Sequence, residues 1–295
     1  MKEWHLAATL ALIEEKMEYD PHFDIAWLRR RTLEDPTCPP DLLLLAEVDE
    51  RLVGFCFGCI REGKGVIKLF GVGGPYRRQG IGTALFQEIE ARFRARGIQE
   101  IIVGAHGPNY FDPGVDVFYT ETISFLMERG YETDRVSRVD MEVDLLHADL
   151  ETAESEARLA SEGITIRRAD PDEVPQVATF ALETFSEGWR YEVSEAVHFS
   201  PIPLHIALNG DQVIAFAAYD VTGPSRFGPT GTHPDYRHRG IGSVLLKRCL
   251  RDIRERGESK AEILWVGPIS FYARVVDAHI HKVYWVFHKT LSPTE

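Results

Sequence analysis

PYRRQGIGTALFQEIEARFRARG, residues 75–97, and DYRHRGIGSVLLKRCLRDIRERG, residues 235–257, decide how this chain is read. The two stretches stand 160 residues apart at both ends (235 − 75 and 257 − 97). Tyr76, Arg77, Gly80, Ile81, Gly82, Leu85, Arg94, Arg96 and Gly97 recur at Tyr236, Arg237, Gly240, Ile241, Gly242, Leu245, Arg254, Arg256 and Gly257. A fixed offset of this length marks an internal duplication.

Both copies have the same surroundings. A β-branched and aromatic run precedes the glycines (about Val66 to Val72, and Arg226 to Thr232), and a second apolar run follows (about Ile98 to Gly104, and Ala261 to Val266). Between them Ile81, Leu85, Ile89 and Phe93, and Ile241, Leu245, Leu246 and Ile253, recur at three to four residues, which predicts helices with one buried face. The order is strand, glycine turn, helix, strand. Hairpins are expected upstream, at Leu42 to Ile60 around Asp49 and Glu50, and at Leu204 to Tyr219 around Asn209 and Gly210. The polar, Ala- and Glu-rich stretch 148–163 reads as a linker, so the expected domains are 1–147 and 164–295.

Composition limits the function classes. The chain has 295 residues, enough for two domains with real cores, and its charge is 33 − 46 = −13. That balance argues against nucleic acid and anionic membranes, whose phosphates are bound by clustered Lys and Arg. No apolar run approaches the roughly 20 residues of a membrane span. The short stretch Leu6 to Ile13 reads as a helix face and carries no small-residue cleavage site. Four scattered cysteines fit a reducing, cytoplasmic location. Cys56 and Cys59, three apart on a strand, point to opposite faces and lack a second pair for zinc, so no metal site is expected; His279 and His281 also lack a third ligand.

The glycine turn carries the chemistry. Glycines let successive backbone N–H groups converge, and the positive end of the helix stands behind them, so the turn suits a pyrophosphate. Arg77, Arg78 and Gln79 before Gly80, Ile81 and Gly82, and Arg237, His238 and Arg239 before Gly240, Ile241 and Gly242, form two basic spots on an acidic protein. One such pattern arises by chance in about one chain of this length in fifteen, but two in matching contexts do not. Neither copy reads G-x-G-x-x-G, which disfavours a dinucleotide-binding turn.

These segments resemble motif A of the Gcn5-related N-acetyltransferase (GNAT) superfamily, over about 250 residues in both halves. The resemblance implies an α/β (α+β) fold of two tandem domains, each a mixed, mostly antiparallel sheet with a splayed parallel strand pair, flanked by helices. It further implies acetyl-CoA as co-substrate and a small-molecule amine as acceptor. The family supplies an oxyanion donor from the first splayed strand, here Thr230, Gly231 and Thr232, and an acid tyrosine in a later helix, here Tyr272 in "FYARVVD". "FLMERGY" places Leu126 at the corresponding position of the first half, which implies that the second domain catalyses. No general base stands out; Glu183, Glu187, Glu192 and His233 are candidates, with Glu187 taken as the catalytic one. Matching the Val-Gly pairs at 103 and 266 gives the first half 17 extra residues (163 − 146), including "GPNYFDPGVD", whose Asn109, Tyr110 and Asp116 are candidate acceptor ligands. "NYFDPGVD", "FGPTG" and "GPISFYA" are similar to bacterial glucosamine and glucosaminide N-acetyltransferases, which implies an amino-sugar acceptor. A mycothiol-synthase-like enzyme and a non-catalytic acyl-CoA sensor or scaffold stand as the rivals. The duplicated chain is read as a monomer, itself a pseudo-dimer of domains, or as a homodimer.

Overall fold

The computed structural model describes residues 1–15, 24–104 and 107–291. In chain order the elements are α1 (Leu6–Glu14), α2 (Ile25–Arg31), β1 (Leu43–Val48), β2 (Arg51–Arg61), β3 (Lys64–Val72), α3 (Ile81–Arg94), β4 (Glu100–Val103), β5 (Val115–Asp116) and α4 (Thr120–Glu128). There follow β6 (Arg138–Asp144), α5 (Ala153–Ser161), β7 (Ile164–Arg168), α6 (Val174–Thr184), α7 (Glu187–Ser194), β8 (Leu204–Asn209), β9 (Gln212–Tyr219) and β10 (Arg226–Thr232). The last are α8 (Ile241–Glu255), β11 (Lys260–Ile263), α9 (Ile269–Val276), β12 (His279–Trp285) and β13 (Phe287–Thr290).

These form two compact units, the first Met1–Arg138 with Val283–Glu295 and the second Val139–Lys282. In unit one the sheet order is β1-β2-β3-β4-β13, and in unit two it is β12-β6-β11-β10-β9-β8-β7. Both sheets are mixed, as expected. The parallel pairs are β3 with β4 and β10 with β11, and β1-β2, β2-β3, β8-β9 and β9-β10 are antiparallel. Both expected hairpins form. The helices after the glycine turns bury the faces their periodicity marked: Leu85, Phe86, Ile89 and Phe93 on α3, and Ile241, Val244, Leu245, Leu246, Cys249, Leu250 and Ile253 on α8. Each such side chain contributes about 1.5–3 kcal/mol of apolar burial. Cys56 packs with Ile67 and Phe86, whereas Cys59 packs with Trp27 and Phe111, so the two thiols do lie on opposite faces.

The units follow strand pairing rather than the contiguous division at 147 and 164. β13, from the end of the chain, pairs with β4 of unit one through Phe287↔Val103. β6, from the first half of the chain, pairs with β11 of unit two through Met141↔Ile263. These are corresponding positions of the repeat, since 287 − 141 = 146 is also the spacing of Phe271 and Phe125. Each duplicated half therefore lends one strand to the other unit's sheet. The stretch read as a linker holds α5, whose Leu159 is buried in the core of unit two.

Phe287 is fully buried in the core of unit one. Phe287→Ala should destabilise that unit by about 3–5 kcal/mol. Hydrogen exchange should show the lost protection in β3 and β4, some 180 residues earlier in the chain (287 − 103 = 184), and not in β8 and β9.

Candidate active site

The two glycine turns are the same object built twice. Arg77 has φ −66°, ψ 157° and Arg237 has φ −67°, ψ 162°. The next residue is left-handed in both, Arg78 at φ 61° and His238 at φ 64°. The helix N-caps, Gly80 and Gly240, are left-handed as well, at φ 86° and 83°. Such alternation is natural only with glycine at the cap. The guanidinium Nε of Arg77 donates to the Val72 carbonyl at 3.3 Å, and that of Arg237 to the Thr232 carbonyl at 3.2 Å. The first N–H groups of α3 and α8 have no intrahelical acceptor and lie at the positive helix end, which suits a phosphate.

Beside each turn the parallel ladder stops early. β10 and β11 pair only at Arg226↔Glu262 and Phe227↔Ile263, and a last bond runs from Leu264 N–H to the Phe227 carbonyl at 3.5 Å. β10 continues to Thr232 without β11, so the strands splay where the sequence placed the opening. Unit one matches residue for residue, with Ile67↔Val103 and Gly104 N–H to the Ile67 carbonyl at 3.1 Å. His233 N–H donates to Ile214 on β9, so strand alternation directs the N–H groups of Thr230 and Thr232 toward the opening and that of Gly231 toward β9. Thr230 Oγ1 is occupied, donating to the Phe216 carbonyl at 3.1 Å. Gly231 lies under α6 and α7, where an added Cβ would stand 2.5 Å from the Phe185 ring and 3.0 Å from Trp189.

Tyr272 sits on α9, 6 % exposed, edge-on to Phe271 and Phe227 at 5.0 and 6.1 Å. Burial pushes its phenol above the ordinary value. Among the described residues its hydroxyl has no hydrogen-bond partner. In unit one Leu126, fully buried, stands at that place.

A sequence model of the acetyltransferase (GNAT) family matches residues 3–111 and 171–275, one span in each half. The chain belongs to the GNAT acetyltransferase family. An acetyltransferase of Sodalis glossinidius is 36% identical over 90 residues, 30% of this chain and 58% of that one, so this chain spans less than two thirds of that relative. Among solved structures, the glucosamine N-acetyltransferase region of a fungal multi-domain β-N-acetylglucosaminidase has a TM-score of 0.74 at 22% identity, covering 97% of this chain and 37% of that one. A GCN5-related N-acetyltransferase from Sphaerobacter thermophilus gives 0.70 at 17%, covering 98% and 94%. A tandem GNAT protein from the clavulanic acid biosynthesis pathway gives 0.69 at 14%, covering 100% and 97%.

The two GNAT units differ around this shared frame. In unit one Arg77 Nη1 is ion-paired with Glu121 at 3.0 Å. In unit two Arg158 of α5 donates to the Arg239 carbonyl at 2.6 Å and so fixes the turn from outside. The strand ladders also correct the loop length. Val103 matches Ile263 at an offset of 160, while Phe125 and Phe271, which cover Gly82 and Gly242, keep 146. The extra loop is thus 160 − 146 = 14 residues; pairing the Val-Gly motifs by sequence is three residues out of register.

That loop is tied down. Asn109, 6 % exposed, donates to Asp35 Oδ2 at 2.9 Å and to the Arg30 carbonyl at 3.0 Å. The same carboxylate accepts from Lys68 at 2.7 Å and Arg61 at 2.8 Å, and its other oxygen from Thr37. Burial opposes the charge of Asp35, yet Lys68, Thr37 and Arg61 hold its pKa at about 2. The Tyr110 carbonyl accepts from Arg31 at 2.9 Å, and Asp116 accepts from Phe118 N–H at 2.9 Å. The sequence could not anticipate this network, because its bonded partners lie up to 79 residues apart (109 − 30). Among the base candidates, Glu187 is exposed and paired with Arg190, whose hydrogen bond holds its carboxyl below the ordinary range. Glu183 is exposed, Glu192 is buried, and His233 Nδ1 accepts from Asp235 N–H at 3.3 Å.

Asp35→Ala should cost about 3–5 kcal/mol in unit one, since it leaves Lys68 and Arg61 as uncompensated buried cations. Because the folded pKa of Asp35 is depressed, its stabilisation is complete above the ordinary 3.8 and is lost as pH falls through about 2; denaturant midpoints measured across that window should fall further in the wild type than in the variant, in which only the other depressed carboxyls, such as Glu173, still titrate. Gly231→Ala should destabilise unit two by about 1–3 kcal/mol through overpacking on Phe185, read as a lower thermal midpoint.

Proposed function

We propose that the protein transfers an acetyl group from acetyl-CoA to a primary amine of a small molecule, and that unit two performs the transfer. The observation that carries this reading is the coincidence, in unit two alone, of an opened parallel ladder, a phosphate-suited glycine turn and a buried tyrosine side chain. The residues fit the co-substrate: Arg237 to Gly242 would hold its pyrophosphate, with Arg158 fixing the turn. Acetyl-CoA would supply the activated thioester.

Attack by a neutral amine forms the C–N bond and places negative charge on the carbonyl oxygen. The N–H groups of Thr230 and Thr232 face the opening and supply donors for that charge. Collapse breaks the C–S bond, and Tyr272 gives its proton to the departing thiolate. A buried phenol is a weak acid, so the transfer depends on a thiolate equally deprived of water. The proton lost by the amine returns through solvent, since Glu187 is committed to Arg190.

Two features support an amino sugar as acceptor. The stretches from Asn109, Phe227 and Gly267 are similar to glucosaminide N-acetyltransferases, and one structural relative is described as a glucosamine N-acetyltransferase region. The proposal extends to a cytoplasmic location, in keeping with four free, buried cysteines. Unit one would support rather than catalyse, since Leu126 replaces the acid and Glu121 offsets Arg77.

CoA release from acetyl-CoA, measured against amino sugars, polyamines, aminoglycosides and peptide N-termini, is expected to be fastest with an amino sugar. Tyr272→Phe should lower kcat about 10²- to 10⁴-fold with the KM for acetyl-CoA unchanged, while Leu126→Ala should leave kcat intact. Tight CoA binding without turnover on any amine would establish an acyl-CoA sensor instead.

A further inference from the structure

We propose that Asp140 positions Trp265 at the apex of the β10–β11 opening, where the indole contacts the acceptor's ring; the proposal rests on the acetyl-transfer reading of unit two. The β6–β11 ladder is broken beside that opening. The strands pair from Lys260↔Asp144 to Ile263↔Met141, and Val266 N–H returns to the Val139 carbonyl at 2.8 Å. Between these points two residues, Leu264 and Trp265, face one, Asp140, which is a β-bulge. Trp265 takes the strain: its φ is +45°, uncommon for a bulky side chain. Its N–H donates to Asp140 Oδ1 at 2.7 Å, and Asp140 is fully buried.

The position of the bulge gives it a purpose. Leu264 makes the last bond between β11 and β10, so Trp265 is the first residue beyond the ladder, on the rim of the opening. Trp265 is 38 % exposed, and α9, which carries Tyr272, begins four residues later at Ile269. A strained backbone held by a buried carboxyl group, which sets a partly exposed aromatic residue at the end of the ladder and four residues before the helix of Tyr272, suits recognition of a ring with an apolar face, as a sugar has. The duplicated strand in unit one lacks the device, because the residue matching Asp140 is Val286 (140 + 146), which has no carboxylate.

Two measurements on the full-length protein test this. Hydrogen exchange at single-residue resolution should show the Trp265 amide exchanging at least about tenfold faster in Asp140→Ala, with the neighbouring β6 amides still protected. Steady-state kinetics should show the acceptor KM rising about tenfold or more in Asp140→Ala and in Trp265→Gly, with the acetyl-CoA KM unchanged. Adding Asp140→Ala to Trp265→Gly should cause no further rise, since glycine adopts the left-handed conformation unaided. Asp140→Asn, which keeps an oxygen acceptor, should recover most of the acceptor KM. Unchanged Trp265 exchange in Asp140→Ala overturns the hold. An unchanged acceptor KM in Trp265→Gly, or a parallel rise in the acetyl-CoA KM, overturns the acceptor role. If the wild type releases no CoA with any amine, the acetyl-transfer reading falls and takes the acceptor role with it, and the exchange data alone then decide the hold.

Discussion

The bond from Leu264 N–H to the Phe227 carbonyl is the last one joining β10 to β11, and the design of unit two depends on its being the last. A sheet normally satisfies its backbone groups strand against strand. Here β10 runs on through Thr230 and Thr232 with donors aimed at an opening, and the glycine turn at Gly240 follows from the end of that strand. The exposed donors are tolerable because the opposite side of β10 is paired with β9 from Thr230 to Thr232 and Gly231 is clamped by Phe185. An opening of this kind is rigid rather than frayed.

Much of this was legible in the sequence, and the reason is local. Left-handed caps need glycine, amphipathic faces need a period near 3.6, and Asn209-Gly210 makes a tight hairpin; each is written in a few adjacent residues. What was not legible depends on distant partners. Val139, Met141 and Val143 alternate along β6, and Phe287 is the one apolar residue of β13, but neither pattern says which edge its strand joins, so the exchange between halves left no local trace. The Val-Gly pairs at 103 and 266 misled for the converse reason, since two common residues matched by chance three positions out of register. Trp265 reads as one more apolar residue until Asp140 is placed opposite it.

The halves have diverged by different means on the same frame. In unit one a buried carboxylate, Asp35, collects Lys68, Arg61, Thr37 and Asn109 and thereby fastens the 14-residue loop. In unit two Asp140 accepts the Trp265 backbone N–H and bends a strand. Both use a buried aspartate side chain, one for anchoring and the other for shape. The network around Asp35 commits Asn109, which the sequence offered as an acceptor ligand, to structure instead.

The exchanged strands also set an order of events during synthesis. β4 is complete at Val103, but its partner Phe287 leaves the ribosome 184 residues later, about 10–40 s at ordinary translation rates. Throughout that interval the nascent first unit carries an unpaired strand edge, open to pairing with other chains. Unit two faces no such delay, because β6 precedes β11 and is waiting for it.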